Sequence, residues 1–356
     1  MKIILTGGGT AGSVTPLLAV VEEINKISQG HSYTFIVTCN GQPEKELIRP
    51  YNIPFKRIIS GKLRRYWSVL NILAPIFVIV GFIQSFIIFI QIRPQIVFNA
   101  GSYIGVPCVW AAWVLGIKVV ILQPDIKPGL ANVMTQMFAS KIIVGFKETE
   151  KFFPKNKVIW LGNPVRPSLL DSVKEEAKKI FNLSKNIPVV LVLGGGTGSN
   201  NINELMISAT REIQKSAYVI MVSGKGKSIE SPKNDRIRMY DFLKNSEVGH
   251  ALQVADVVVS RAGIGAISEF SLMKKACILI PLPHSPQERN AEMLSEKNAA
   301  ISYQEKTLNA QKLAHVVIGL INNEHRRIEL GNNIRSLCRA DAAQRIAQLI
   351  ISIGNS

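Results

Sequence analysis

Residues 2–16 read KIILTGGGTAGSVTP: five strand-type residues, a glycine run, then the opening of a helical segment. Lys2–Thr6 is too short for the apolar core of a signal peptide and reads as a buried first strand. Glycines at 7, 8, 9 and 12 let the backbone approach a polar ligand, and the N-terminus of the helix that follows favours negative charge. Thr15 can cap that helix, and Pro16 suits its first turn. Strand, glycine loop and helix in this order open a doubly wound α/β sheet. Gly7-x-Gly9-x-x-Gly12 formally matches the dinucleotide fingerprint. The next strand-type run, however, ends Val37-Thr38-Cys39-Asn40-Gly41 with no acid for a ribose, which argues against a nicotinamide dinucleotide.

The layout recurs outward from this stretch. In the first half, strand-type runs fall at Lys2–Thr6, Tyr33–Thr38, Gln95–Ala100, Lys118–Gln123, Lys141–Phe146 and Lys157–Leu161. In the second half they fall at Val189–Leu193, Tyr218–Ser223, Ile237–Asp241, Asp256–Ser260, Cys277–Pro281 and Ala300–Tyr303. Unbroken Val/Ile/Leu runs with helices between them predict parallel strands buried on both faces. Two such series predict two doubly wound α/β domains, in keeping with 356 residues at about 150 per domain. Turn residues gather at Gly162-Asn163-Pro164, which places the domains at 1–162 and 163–335. From about Glu324 to Ile351 the pattern is helical with no strand after it, and a terminal helix within 336–356 can return to the first domain.

Composition narrows the classes. Hydrophobic residues at 47% exclude a disordered chain. Cys39, Cys108, Cys277 and Cys338 lie far apart, so no zinc site, redox pair or disulfide scaffold is indicated and reduced thiols are expected. A net charge of +17 calls for nucleic acid, anionic membrane or phosphorylated substrate as partner. The sequence carries no helix-turn-helix, RRM or zinc-finger signal, so nucleic acid is not expected.

Ligands of open parallel sheets bind outside the carboxyl ends of the strands. The loops there are informative. Gly194-Gly195-Gly196-Thr197-Gly198-Ser199 follows Val189–Leu193 and lacks the Lys-Ser/Thr ending of a P-loop. Its backbone N–H groups and the Thr197 and Ser199 hydroxyls suit a diphosphate held without a metal. Ser260-Arg261-Ala262-Gly263-Ile264-Gly265 leads into a helix that carries Glu269 about one turn in. A carboxylate there can accept two ribose hydroxyls, or it can merely favour the helix N-terminus. In the loop 281–291, Gln287 and Asn290 lie three apart on one helix face, and their amides suit sugar hydroxyls.

Residues 69–92 read VLNILAPIFVIVGFIQSFIIFIQI, without a charge. Lys62, Arg64, Arg65, Tyr66 and Trp67 precede the stretch and Arg93 follows it. Its length suffices to span a bilayer. A span would put Lys2–Thr6 and Gln95–Ala100 on opposite sides of the membrane, although both belong to one sheet by pattern. Asn71, Pro75, Gln84 and Ser85 also interrupt it. Two shorter helices packed on the domain and dipping into one leaflet are expected, with flanking cations meeting anionic lipid at about 1 kcal/mol each.

In combination these segments resemble the MurG family, the UDP-N-acetylglucosamine transferases of peptidoglycan synthesis, in the GT-B class of glycosyltransferases. Gly101-Ser102-Tyr103, Ala111-Ala112-Trp113, Gly129-Leu130-Ala131-Asn132 and Gly162-Asn163-Pro164-Val165-Arg166 look like family segments, in the family's order. The resemblance implies two Rossmann-like domains facing across a cleft, the first holding a lipid-linked acceptor and the membrane, the second UDP-GlcNAc. On the donor side it implies Glu269 at the uridine ribose and the Gly263-Ile264-Gly265 backbone at the uracil. Gly195, Gly196, Thr197, Gly198, Ser199 and Arg166 would lie near the phosphates, Gln287 and Asn290 at the sugar, with Thr10 and Gly12 of the first loop. On the acceptor side it implies Gly9, Tyr103 and Asn132. No metal or other cofactor is implied, and no Asp-x-Asp pair stands out.

Three segments depart from the family pattern. Ser13 stands where the family carries a critical His, Leu122-Gln123-Pro124-Asp125 where it has His-Glu-Gln-Asn, and Gly196 where it usually has Ser. A serine hydroxyl is no general base near neutrality without an activating partner. Asp125 is therefore the candidate base, with a turn-shaping role as the plain alternative. The expected reaction is inverting transfer of N-acetylglucosamine from UDP-GlcNAc to an undecaprenyl-diphosphate-linked muramyl peptide. It is expected at the cytoplasmic face of a bacterial plasma membrane, by a peripherally bound enzyme. The alternatives are a transferase with another lipid-linked acceptor, a UDP-sugar 2-epimerase, and a catalytically silent membrane-bound UDP-sugar-binding protein.

Overall fold

The computed structural model describes residues 1–8, 11–38, 42–62, 69–184, 186–194, 198–224, 226–227 and 234–355. The chain divides into two compact units, Met1–Arg166 with Arg339–Ser356, and Pro167–Cys338. The first unit thus runs past Gly162 to Arg166 and takes back the C-terminal segment.

In the first unit the elements are β1 (Lys2–Thr6), α1 (Ala11–Ile27), β2 (Ser32–Thr38), α2 (Gln42–Ile48), β3 (Phe55–Ile58), α3 (Val69–Ile92), β4 (Ile96–Asn99), α4 (Gly105–Val114), β5 (Lys118–Gln123), α5 (Leu130–Thr135), β6 (Lys141–Val144) and β7 (Val158–Trp160). The second holds α6 (Lys174–Ile180), β8 (Val189–Leu193), α7 (Asn200–Ile213), β9 (Tyr218–Val222), β10 (Ile237–Tyr240), α8 (Asn245–Val254), β11 (Val257–Ser260), α9 (Ile264–Leu272), β12 (Ala276–Leu279), α10 (Pro286–Glu296), β13 (Ile301–Ser302), α11 (Ala310–Ile321) and α12 (Glu324–Leu337). The last helix, α13 (Ala342–Asn355), belongs to the first unit.

Each unit has one parallel sheet, in the orders β3-β2-β1-β4-β5-β6-β7 and β10-β9-β8-β11-β12-β13. Registers such as Leu5↔Phe98 and Val192↔Val259 pair apolar residues through the sheet centres. Strand order reverses between β1 and β4 and between β8 and β11. Such switch points open a crevice at the strands' carboxyl ends. Helices cover both faces, and α13 contributes Ile346, Ala347 and Ile350 to the same core as Ile3, Leu17 and Phe98.

Three local expectations change. Strand β3, FKRI, was not expected; its exposed Lys56 and Arg57 make it a charged edge strand rather than an apolar run. Helix α1 starts at Ala11, so Thr15 and Pro16 lie inside it and Thr15 is not its cap. Residues 69–92 form one helix of 24 residues instead of two, with Pro75 in its first two turns. The reason is topological. The helix α3 is the crossover from β3 to β4; it packs along α4, and its small residues lie close against the segment that leaves β3. A Cβ on Gly81 would stand 2.1 Å from the Ile59 carbonyl, and one on Gly61 2.1 Å from that of Ala74.

Candidate functional site

In the second unit, three loops gather at the β8/β11 switch point. Ser199 caps α7 by accepting from the Ile202 N–H at 3.4 Å. Arg261, buried at the end of β11, donates from Nη2 to Ser199 Oγ at 2.7 Å. Its Nη1 reaches the carbonyls of Ile280 at 3.1 Å and Pro281 at 3.2 Å, at the exit of β12. The same Nη1 pairs with Glu305 Oε2 at 2.6 Å. Burial pushes the Glu305 carboxyl up, but hydrogen bonds from Asn201 and Arg261 outweigh it and hold the group below the usual carboxylate range. One guanidinium therefore fixes the loops after β8, β11 and β12 relative to one another. Asn290, also buried, adds a second tie by donating to the Ala262 carbonyl at 3.3 Å.

Around these ties stand the expected donor residues. Glu269 is half-buried and is the sixth residue of α9, between the fully buried Ile267 and Phe270. It lies beyond the first turn, where a helix dipole acts, so an N-terminal electrostatic role does not account for it. Gln287 Oε1 accepts from the Leu282 N–H at 3.0 Å, while Nε2 lies 4.0 Å from where a Gly263 side chain would start. Gly198 (φ +70°) presses on the loop after β9; a Cβ there would meet the Ser223 carbonyl at 2.2 Å. Gly195, Gly196 and Thr197 lie outside the described residues, as do Gly9 and Thr10 of the first loop.

In the first unit, the loops after β1, β4 and β5 adjoin the β1/β4 switch point. Ser13 is buried in α1 and donates to the Gly8 carbonyl at 3.2 Å. Gly12, next to it, is half-buried in the first turn of α1. Gly8 is squeezed: a Cβ would stand 2.6 Å from Ile104 and 2.8 Å from Glu44 Oε1. Gly101 (φ +82°) and Ser102 (φ +77°) are consecutive left-handed residues, a strained conformation for the serine. Burial raises the Tyr103 phenol above its ordinary value; a hydrogen bond with Thr38 opposes this and the Glu44 charge adds to it.

The loop after β5 is built by amides. Asn132, buried, donates to the Leu122 carbonyl at 3.1 Å and to Gln123 Oε1 at 2.7 Å. Gln123 Nε2 then holds the Asp125 carbonyl at 2.7 Å, and Asn163 holds that of Pro124 at 3.1 Å. Asp125 is half-buried at the end of this scaffold. Arg166 is buried beside Tyr51, whose hydroxyl donates to Glu22 at 2.5 Å. Burial, then Glu22, pushes that phenol up to about 12, and Arg166 pulls the other way.

Sequence reasoning passed over Arg261, Glu44 and Phe242 as functional candidates. Arg261 lies within the segment that leads into α9, and nothing in that segment announces its partners. Glu44, fully buried against the first glycine loop, sits in a polar heptad, QPEKELI, that reads as a solvated helix. Phe242 is an exposed aromatic just past β10, next to Asp241, whose Oδ1 accepts from Ser223 at 3.3 Å.

A model of the glycosyltransferase family 28 N-terminal domain matches residues 3–144, and one of the family's C-terminal domain matches residues 189–346. A Bacillus cereus protein named UDP-N-acetylglucosamine–N-acetylmuramyl-(pentapeptide) pyrophosphoryl-undecaprenol N-acetylglucosamine transferase 2 is 35% identical over 330 residues, 91% of this chain and 93% of its own. The transferase of the same name, without the numeral, from Legionella pneumophila is 33% identical over 98% of this chain and 96% of its own. Among solved structures, Acinetobacter baumannii MurG superposes with a TM-score of 0.76 at 22% identity, covering 99% of each chain. A Neisseria meningitidis UDP-GlcNAc 2-epimerase bound to UDP-GlcNAc superposes at 0.72 with 11% identity, covering 99% of this chain and 100% of its own. The fold is thus shared between a transferase and an epimerase.

Proposed function

The chain belongs to glycosyltransferase family 28, and from that premise we propose that it transfers N-acetylglucosamine from UDP-GlcNAc to an undecaprenyl-diphosphate-linked muramyl peptide, converting lipid I to lipid II. The observation that carries the donor half is the second unit's switch point. There Arg261 and Asn290 lock a glycine loop, the α9 entry and the α10 entry into one surface that presents Glu269 and Gln287. Glu269 accepts the two ribose hydroxyls, the Gly263–Gly265 backbone meets the uracil, and exposed Phe242 offers it an apolar face. Backbone donors of the 194–199 loop and the N-terminus of α7 take the diphosphate. Asn290 acts by holding the Ala262 carbonyl, and Gln287 presents its Nε2 to the donor sugar.

In the reaction, a hydroxyl oxygen of the acceptor sugar attacks the anomeric carbon, the bond from that carbon to the β-phosphate oxygen breaks, and configuration inverts. UDP leaves with the bonding pair, and the hydroxyl proton passes to Asp125. The first unit binds the acceptor with Tyr103 and the loops after β1 and β4, while Asn132 shapes the loop that aims Asp125. The apolar face of α3 holds the enzyme peripherally on anionic lipid at the cytoplasmic face of the plasma membrane, where nucleotide sugars are made.

The test is a calorimetric titration with UDP, followed by incubation with UDP-GlcNAc and lipid I in detergent. Wild type should bind UDP and release it alongside lipid II. Glu269→Ala should lose about tenfold to a hundredfold in UDP affinity, the worth of charge-assisted hydrogen bonds. Unchanged affinity in that variant sinks the ribose assignment. Wild type that binds UDP yet forms no product with any lipid-linked acceptor identifies a silent binding protein instead.

A further inference from the structure

The loop after β9 reads Ser223-Gly224-Lys225-Gly226-Lys227, with Lys225 outside the described residues. It lies directly on the glycine loop. The Lys227 N–H donates to the Gly224 carbonyl at 3.1 Å, and Gly226 is left-handed at φ +72°, so the chain turns back at this point. The turn delivers the Lys227 ammonium to the Gly198 carbonyl at 3.0 Å, one residue before the cap of α7. Asn203, buried on α7, fixes the same turn by donating to the carbonyls of Ser223 at 3.0 Å and Lys227 at 3.5 Å.

This is an unfavourable place for a cation without an anion. The side chain is half-buried, and the nearby N-terminus of α7 carries its own positive partial charge. Among the described residues no carboxylate pairs with Lys227. Glu305 is engaged by Arg261 and Asn201, and Asp241 accepts from Ser223. A carbonyl partner occupies one of the ammonium's three donors and, among the described residues, brings no opposite charge to it.

Resting on the donor reading above, we infer that Lys227 supplies the countercharge for the donor's diphosphate, reaching a β-phosphate oxygen with a donor not used by Gly198. As the bond between the anomeric carbon and the β-phosphate oxygen breaks, the charge that develops on UDP falls beside the ammonium. The interaction is therefore stronger in the transition state than in the bound donor.

The experiment compares UDP, UMP and uridine as calorimetric ligands for wild type, Lys227→Met and Lys227→Arg, with turnover of UDP-GlcNAc measured in parallel. Lys227→Met should lose about tenfold or more in UDP affinity, less for UMP, and nothing for uridine. Its kcat should fall more than its KM rises, and Lys227→Arg should restore most of the UDP affinity. Equal losses for all three ligands would make Lys227 a brace for Gly198 and overturn the inference. So would a Lys227→Met protein that binds UDP as wild type does. Wild type that binds neither UDP nor uridine overturns the donor reading first, and the inference with it.

Discussion

Ser13 Oγ is buried and gives a hydrogen bond to a carbonyl of its own loop at 3.2 Å, an arrangement that steadies the Gly7–Gly8 backbone rather than activating a nucleophile. Asp125 ends a loop whose carbonyls are held by Gln123 and Asn163. Asp125→Asn should therefore keep UDP affinity and lose at least about a hundredfold in turnover, whereas Ser13→Ala should cost far less. Steady-state kinetics of both variants decide it, and the opposite order removes Asp125 from the mechanism. At this scale the residue types were legible: an amide pair on α10, a carboxylate on α9, an aspartate past β5. Which atoms hold which were not. The amide of Asn290 suits a ligand by type and the family resemblance implies one for Asn132, but each amide nitrogen is engaged on a backbone carbonyl. Arg261 looked like loop filler because its partners at 199, 280, 281 and 305 are brought together only by strand order.

Elements were more legible than contacts. Strands buried on both faces announce themselves as apolar runs, and β1, β5 and β8 have the expected bounds. The edge strand β3 escaped because half of its four residues are cationic. In α3 the periodicity was hidden, since nearly every position is apolar. The structure separates its faces. Ala74, Gly81, Ser85 and Phe89 are buried, while Ile72, Ile76, Ile79, Ile83, Ile87 and Ile90 form a stripe, each at least half exposed. That stripe runs about 27 Å at 1.5 Å per residue. Both ends of α3 connect to strands of one parallel sheet, so it offers the stripe sideways, as an interfacial helix does. Exposed Lys62 and Arg93 flank it. Replacing Ile76, Ile79 and Ile83 by Ser should release the protein from anionic liposomes in a sedimentation assay and leave UDP affinity unchanged. Phe82 is left unchanged in this variant, because it packs against the core. Wild type that stays in solution with such liposomes removes the membrane role.

For the whole molecule, two units with separate cores imply two unfolding transitions whose pH dependence differs. Lys275, in the second unit, is half-buried, and its ammonium donates to the Ala255 carbonyl at 2.9 Å. Burial pulls it down to about 8, with Asp256 opposing. In the unfolded chain a lysine holds its proton to near 10.4. Between these values the unfolded state binds more protons than the native one, so this group's contribution to stability rises with pH. Buried acids act oppositely. Burial pushes Cys108 up to about 11, with Ser85 and Thr6 opposing; it pushes Tyr33 up to about 12, and it raises Cys277 and Cys338. Native proteins keep those protons where unfolded chains lose them, so stability falls above about pH 9. Lys275→Met removes only the first contribution and leaves the thiols common to both proteins. In urea titrations resolved by unit, wild type should gain about 1.4 kcal/mol over Lys275→Met in the second unit's transition between pH 7 and 9. The first unit's transition should be the same in both proteins at every pH. Parallel curves for the second unit would mean that Lys275 keeps its charge in the folded state, balanced by Asp256 across the β8–β11 edge.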